Sequence, residues 1–348
     1  MKLINKYTFP GFIFQQYNTQ SELMVCLTVI ANYDLTKEGR LAFVDTQPEI
    51  KYMDSYELGE EGGEYLSEPS DFVPYKPGTD VTFLGNSYSP TGEAKESWPT
   101  GIKIEDFEHL IHVYGARNWE PSLSKGWKMG PAVPCLSVPL SWEKAFGGLI
   151  PHNPEKEDTK DYHRYNPLGT GLLNKDYSNK HKFYPAPQIE HPKQPITDWS
   201  VNYIPQCFAP VAPVWRFREQ YTGTYDETWL KTRHPFLPQD FDYRFYQCAH
   251  PDLILPFYLK GDERFQFACL YPGIRRYTSQ LPKLKFTALT HYMDGSKQEH
   301  ALNLDGLHFN LLGENRRLKL TWRIMFGWGE GVESIEVKPQ RIESERSL

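Results

Sequence analysis

Residues 318–326 read Leu-Lys-Leu-Thr-Trp-Arg-Ile-Met-Phe. Leu318, Leu320, Trp322, Ile324 and Phe326 alternate with Lys319, Thr321, Arg323 and Met325. Successive side chains of a strand point to opposite faces, so this period of two predicts a β-strand. Just upstream, Leu307, Phe309 and Leu311 alternate with His308 and Asn310 in the same way. Asp294-Gly295 and Asp305-Gly306 are dipeptides that favour hairpin turns, and both are predicted as turns. Residues 23–30 are β-branched and nearly all apolar, as in a strand buried on both faces. Residues 40–44 follow a Lys-Glu-Gly turn and are placed to pair with them as a hairpin. Residues 79–85 and 109–114 are further strand candidates, and the acidic, Gly-rich stretch 57–64 is predicted as loop. From Gln340 onward the charged tail is expected to fray. No helical pattern exceeds about three turns and no internal repeat is visible.

Composition supports the same fold class. The chain of 348 residues carries 22 Tyr, 20 Phe and 9 Trp, bulky residues that fit pleated sheets. Its 28 Pro and 25 Gly are scattered, which suits short elements joined by turns. The expected fold is mainly β: antiparallel sheets in β-sandwich-like lobes, few short helices, and long Pro-rich irregular segments. Residues 1–150 and 214–348 form the two β lobes, or both belong to one integrated domain. Residues 151–213 connect them. That middle stretch is rich in proline, which removes ladder donors, and includes the charged run Glu155-Lys156-Glu157-Asp158. Interleaved aromatics such as Tyr162, Tyr165, Tyr184, Trp199 and Tyr203 argue for an ordered wrap instead of a plain linker.

Several function classes find no support. Net charge is −6 with no dense basic run, unlike a nucleic-acid binder. The cysteines, Cys26, Cys135, Cys207, Cys248 and Cys269, are odd in number and lack Cys-x-x-Cys spacing, so they read as reduced thiols in the cytoplasm. Neither a signal peptide nor a membrane-spanning run is evident, so no integral membrane association is expected. His109 and His112 fall on opposite faces of their strand, so the pair offers no joint metal site. Gly147-Gly148 and Gly169-Thr170-Gly171 lack the ending of a phosphate loop; Gly147 is expected to end a short helix over 141–146. No Gly-x-Ser-x-Gly elbow occurs. No catalytic residue, metal or cofactor is expected.

The densest stretch is 221–252. Residues 224–232 predict a helix, with Thr224 as N-cap and Glu227 closing a capping box. Tyr225 and Trp229 share its face, and Pro235 stops it. Next, Phe241, Tyr243 and Phe245 are expected on one side of a strand entry, with Asp240, Asp242 and Arg244 on the other. Asp226, Asp240 and Asp242 invite a reading as acid and base acting on a sugar. The plainer reading is an ion-pair and capping network bracing aromatic residues, with Trp229 and Asp242 contributing to stability if buried.

Here a resemblance becomes specific. Gly223, Thr224, Tyr225, Asp226, Trp229, Arg233, Pro235, Pro238, Asp240, Phe241 and Asp242 resemble, in order, the signature of a bacterial family, domain of unknown function 2169, encoded in type VI secretion gene clusters. Glu143-Lys144-Ala145-Phe146-Gly147-Gly148, Asn166-Pro167-Leu168-Gly169-Thr170-Gly171 and Trp322-Arg323 resemble further motifs of that family. Departures are Trp142 where a tyrosine is expected, Leu172 where an aromatic is expected, and Asp305-Gly306 where an Asp-Thr pair is expected. The resemblance implies a cytoplasmic adaptor or chaperone without enzymatic activity. Such a protein holds a secreted effector and helps load it onto the VgrG and PAAR spike. Some clients carry apolar segments that need shielding from water. Tyr184, Trp199 and Tyr203 are the expected client contacts, since aromatic side chains give contact area at low entropy cost. The alternatives are a carbohydrate-binding or carbohydrate-active β protein and a structural accessory component of the secretion apparatus.

Overall fold

The computed structural model describes residues 1–150, 162–175, 178–329 and 331–342. The run Glu155–Asp158 lies outside the described residues, as does the tail beyond 342. The fold is mainly β. Its largest sheet has seven strands, in the order Ile254–Leu255, Thr79–Leu84, Asn303–Asn310, Arg317–Gly327, Leu23–Leu35 and Gly11–Tyr17, with Leu41–Phe43 also pairing on Leu23–Leu35. Thr79–Leu84 runs parallel to Asn303–Asn310; the other pairs are antiparallel. A five-stranded antiparallel sheet takes Ile189–Glu190, Phe107–Tyr114, Ser97–Ile104, Arg264–Tyr271 and Ile274–Gln280. Strands from residues 1–150 and 214–348 therefore share both large sheets.

The core lies between layers. Phe83 and Phe309 of the large sheet meet Phe267 of the five-stranded sheet edge-on at 5.7 and 4.9 Å. Trp322 meets Phe286 of a third sheet, which contains Leu284–Tyr292 and Val332–Arg341, at 4.9 Å. Face-to-face packing of this kind makes the β-sandwich-like layers that the aromatic content favours. A smaller core holds Trp119, Trp127, Phe146, Leu173, Ala186 and Ile196.

Several local expectations change. Residues 57–58 and 64 lie at the ends of a hairpin, Ser55–Leu58 with Glu64–Glu68, so only 59–63 is loop. Asp294-Gly295 sits in the predicted turn between paired strands. Asp305-Gly306 does not; it forms a bulge inside Asn303–Asn310, where Asp305 is buried and paired instead of turning in solvent. Gln340 and Arg341 belong to the strand Val332–Arg341, because they pair with Lys285 and Leu284. Instead of a helix over 141–146, there is a single 3-10 turn, Trp142–Lys144, and Phe146–Gly147 pairs in parallel with Thr170–Gly171.

That pairing explains the glycines. Gly147 and Gly148 have φ of +144° and +95°, and a Cβ on either would lie 2.2 Å from Asn166 O or 2.1 Å from Gly169 O. Asn166 Nδ2 donates to Trp142 O at 2.8 Å and Phe146 O at 3.0 Å. The two glycine motifs are thus two halves of one backbone clamp, which only Gly can fill at this approach.

Candidate functional site: an open sheet edge and its supports

Gly11–Tyr17 is the edge of the large sheet, and among the described residues no strand pairs with its outer side. Ile30 N donates to Pro10 O at 2.9 Å, which fixes the alternation of the ladder. Phe12, Phe14 and Gln16 bond inward to Leu23–Leu35, while the backbone groups of Gly11, Ile13, Gln15 and Tyr17 point outward. The side chains sort by face. Ile13 packs on the main core, whereas Phe12 and Phe14 lie on the other face. There the rings of Phe12 and Phe14 stack at 5.4 Å, Phe72 approaches Phe14 at 4.3 Å, and Tyr52 meets Phe12 edge-on at 5.4 Å. Tyr52 is 63% exposed, its neighbour Met53 78% and Phe72 48%. Unpaired edge and exposed aromatics therefore coincide.

The motif-bearing stretch folds against the end of this edge. Tyr17 packs edge-on to Phe236 at 4.8 Å, Gln16 Nε2 reaches Tyr246 Oη at 3.5 Å, and Arg233 donates to Thr19 O and Leu237 O. The helix is shorter than expected, Glu227–Thr232, and its N-cap is Asp226, which accepts from Trp229 N at 2.8 Å. Thr224 does not cap it. Thr224 N and Oγ1 donate instead to Asp240 at 3.0 and 2.7 Å, closing the loop end to end. Gly223, at φ +77°, leaves the room for this closure, since a Cβ there would meet Asp240 Oδ1 at 2.9 Å. Trp229 Nε1 donates to Phe236 O at 2.9 Å, and Tyr225 meets the Trp229 ring at 4.7 Å. Pro235 follows a cis peptide bond.

The strand entry is not a strand. Tyr243–Tyr246 is a 3-10 turn capped by Asp242, which accepts from Arg244 N and Nε at 2.8 Å. A capping carboxylate two residues before its arginine satisfies both bonds within one turn, and this local geometry displaces the extended one. Phe241 alone of the three aromatics is fully buried. Trp229 and Asp242 are only half-buried, so the scaffold role expected for them is played at the surface. Hydrogen bonds from Thr224 hold Asp240 below the usual carboxylate range, and the Arg244 side chain does the same for Asp242. Each carboxylate of the loop thus has a structural partner.

Tyr184, Trp199 and Tyr203 lie elsewhere, around the smaller core. Trp199 packs edge-on to Trp127 at 5.0 Å and donates Nε1 to Lys125 O. Tyr203 packs on Phe146 at 5.4 Å, and Tyr184 on Trp127 at 6.0 Å. The fold does not bring them to the edge strand.

The residues that hold the aromatic face in place were not singled out by the sequence pattern. The polar alternates of the strand Arg317–Gly327, Lys319, Thr321 and Arg323, are buried under the segment 47–76. Asp71, next to Phe72, accepts from Lys319 Nζ at 2.8 Å and from Lys51 N at 2.9 Å, with Arg323 Nη2 at 4.0 Å. Lys319 also binds Glu68 at 2.9 Å. Arg323 binds Asp305 at 2.5 Å, and Lys76 binds Asp80 at 2.7 Å. Burial pushes Asp305 up to about 6, against the pull of Arg323. Burial alone would lower Lys76, but Asp80 keeps it above the ordinary lysine value. Burial drives His308 down to about 4, so it is neutral at pH 7 and bonds to Thr82 Oγ1 at 2.9 Å. The network surrounds a cavity of about 30 Å³. Alternating Lys, Thr and Arg are the sequence signal, but in one strand they look like a solvated face.

Away from the edge, His109, His250 and Asp252 bring one ligand atom each to within 4.8 Å of one another. Burial lowers the pKa of His109 and takes His250 down to about 4.

Residues 20–323 match the family model described as "Uncharacterized protein conserved in bacteria (DUF2169)". The chain belongs to this family. Neither a curated protein nor a solved structure matches it.

Proposed function

We propose that this DUF2169-family chain is an adaptor that receives an extended apolar segment of another protein along the edge strand Gly11–Tyr17, and that the client is an effector of a type VI secretion system, loaded onto the VgrG and PAAR spike. What carries the reading is the coincidence of outward-facing backbone groups with an aromatic face in which the half-buried Phe12 and Phe14 rings lie beside the exposed Tyr52 and Phe72. Strand addition takes affinity from main-chain hydrogen bonds and specificity from side-chain contacts on alternate faces, and this edge offers both. Exposed flat edges invite aggregation, and proteins protect those they do not use. The secretion assignment rests on the sequence resemblance and the cytoplasmic location it implies.

The test is co-expression of the full chain with the products of adjacent genes, followed by co-purification. Gln15 is exposed and its N–H faces outward, so Gln15→Pro removes an edge donor while sparing the inward ladder. The expected result is loss of the client from Gln15→Pro and from Phe72→Ala, with both variants melting close to wild type. Full client recovery with both variants would refute the edge as the binding surface. Deletion of the gene is expected to stop secretion of the client alone; a halt in all secretion would favour the structural-component reading.

A further inference from the structure

His109 lies in the strand Phe107–Tyr114, and His250 and Asp252 flank the start of the 3-10 turn Pro251–Leu253. The two imidazole rings are nearly parallel, 16° apart, with centroids at 6.1 Å. Nε2 of His109 is buried without a hydrogen-bond partner, in a side chain from a residue that is 7% exposed. A buried polar atom of this kind is uncommon and asks for a partner. His250 is set differently. Its Nε2 lies 3.0 Å from Pro205 O and its Nδ1 accepts from Asp252 N at 3.1 Å, which assigns the proton to Nε2. Donation of one ring N–H to a backbone carbonyl is the usual orienting bond of a metal-binding histidine, and it makes Nδ1 the ligand atom, where an ion takes the place of the Asp252 N–H. Asp252 Oδ2 sits 3.6 Å from His250 Nδ1 and accepts from Gln206 Nε2 at 3.4 Å, which also lies 3.4 Å from His250 Nε2.

We propose that His109, His250 and Asp252 form a binding site for a borderline divalent transition-metal ion, Zn2+ foremost, with His191 or a water completing the shell. The ligand set is two imidazoles and a carboxylate, which suits Zn2+ and disfavours the oxygen-seeking Ca2+ and Mg2+. Zn–N and Zn–O distances of about 2.0–2.2 Å place tetrahedral ligand atoms about 3.4 Å apart. The present group, within 4.8 Å, reaches that by closing its widest gap, and Asp252 has the freedom to do so because its side chain is 49% exposed. The same exposure gives an ion its way in. His191 stands beside His109 with ring centroids at 6.4 Å, and its Nδ1 accepts from Lys193 N, which leaves Nε2 free of that bond. A bound ion would fasten the segment 205–253 to the five-stranded sheet. This inference is independent of the adaptor reading.

The experiment uses the full chain, treated with chelator, dialysed, and titrated with Co2+ and then Zn2+. The expected result is one equivalent of Co2+ bound, with the visible bands of low-coordinate cobalt, displaced by Zn2+. The melting temperature should rise with free Zn2+, since the ion binds only the folded form. Asp252→Asn, a change at a half-exposed site, and His109→Gln are each expected to weaken binding by more than about tenfold. Absence of stoichiometric uptake by the wild type overturns the proposal, and so does a folded variant of either kind that binds as tightly as wild type. If His109→Gln fails to fold, Asp252→Asn decides alone.

Discussion

Replacing Asp71 with Ala tests whether the buried charge network holds the segment 47–76 on the sheet. Its carboxylate accepts from Lys319 Nζ and Lys51 N, and it faces Arg323. Asp71 and Arg323 are 2% and 4% exposed, so solvent cannot replace the lost partner. Removing one member of a buried ion pair costs about 3–5 kcal/mol, because the remaining charge is left uncompensated. Here Lys319 keeps Glu68 and Arg323 keeps Asp305, which places the loss toward the lower end. The unfolding entropy of about 2 cal/mol/K per residue gives about 0.7 kcal/mol/K for a chain of this length, so about 3 kcal/mol lowers Tm by roughly 4 °C. Denaturant unfolding of wild type, Asp71→Ala, Lys319→Met and the double variant measures both the loss and the coupling. The double variant is expected to recover part of the loss, since both charges then go together. A single-variant loss below about 1 kcal/mol, or strict additivity in the cycle, would refute the idea that these charges depend on each other.

Gly148→Ala is expected to destabilise by about 3 kcal/mol or more, combining positive φ with a backbone collision at Gly169 O, and urea unfolding reads it directly. Asp226→Ala should cost only about 1 kcal/mol, the worth of a helix cap, and Asp226→Asn or Asp226→Ser should restore most of it in the same assay. Stability should fall as pH drops from 6.5 toward 4: His308 and His250, both depressed to about 4, bind protons more readily when unfolded. Asp305, raised to about 6, acts the other way, its contribution being full below its unfolded value and lost as pH rises through 6. The two histidines outweigh the one carboxyl, leaving a net loss on the order of 3 kcal/mol, which unfolding curves at pH 7 and pH 4.5 would show. In His308→Gln the acid loss should nearly vanish, because the remaining histidine is then largely offset by Asp305.

Much of the β architecture was written in local pattern. Residues 23–30, 109–114 and 318–326 all fall in strands, as do 79–84 of the expected 79–85, because a period of two or an unbroken β-branched run constrains the backbone within a few residues. Acid and hydroxyl positions around 224–242 also signalled a capped, internally bonded loop. Their partners were exchanged, with Asp226 taking the cap and Thr224 the closure, since several side chains within one turn compete for the same amides. What alternation cannot encode is what lies on the second face. Lys319 and Arg323 are buried because Asp71 arrives from nearly 250 positions away in the chain to neutralise them, and that meeting depends on the whole sheet. The same holds for the edge strand, whose openness is a statement about strands that are not beside it, and for His109 and His250, neighbours only once the segment carrying His250 folds over the sheet. Sequence alone determined the elements, through short-range backbone preference; tertiary structure alone decided which charges were paired, which edge was free and which histidines met, because those depend on distances that only closure of the fold sets.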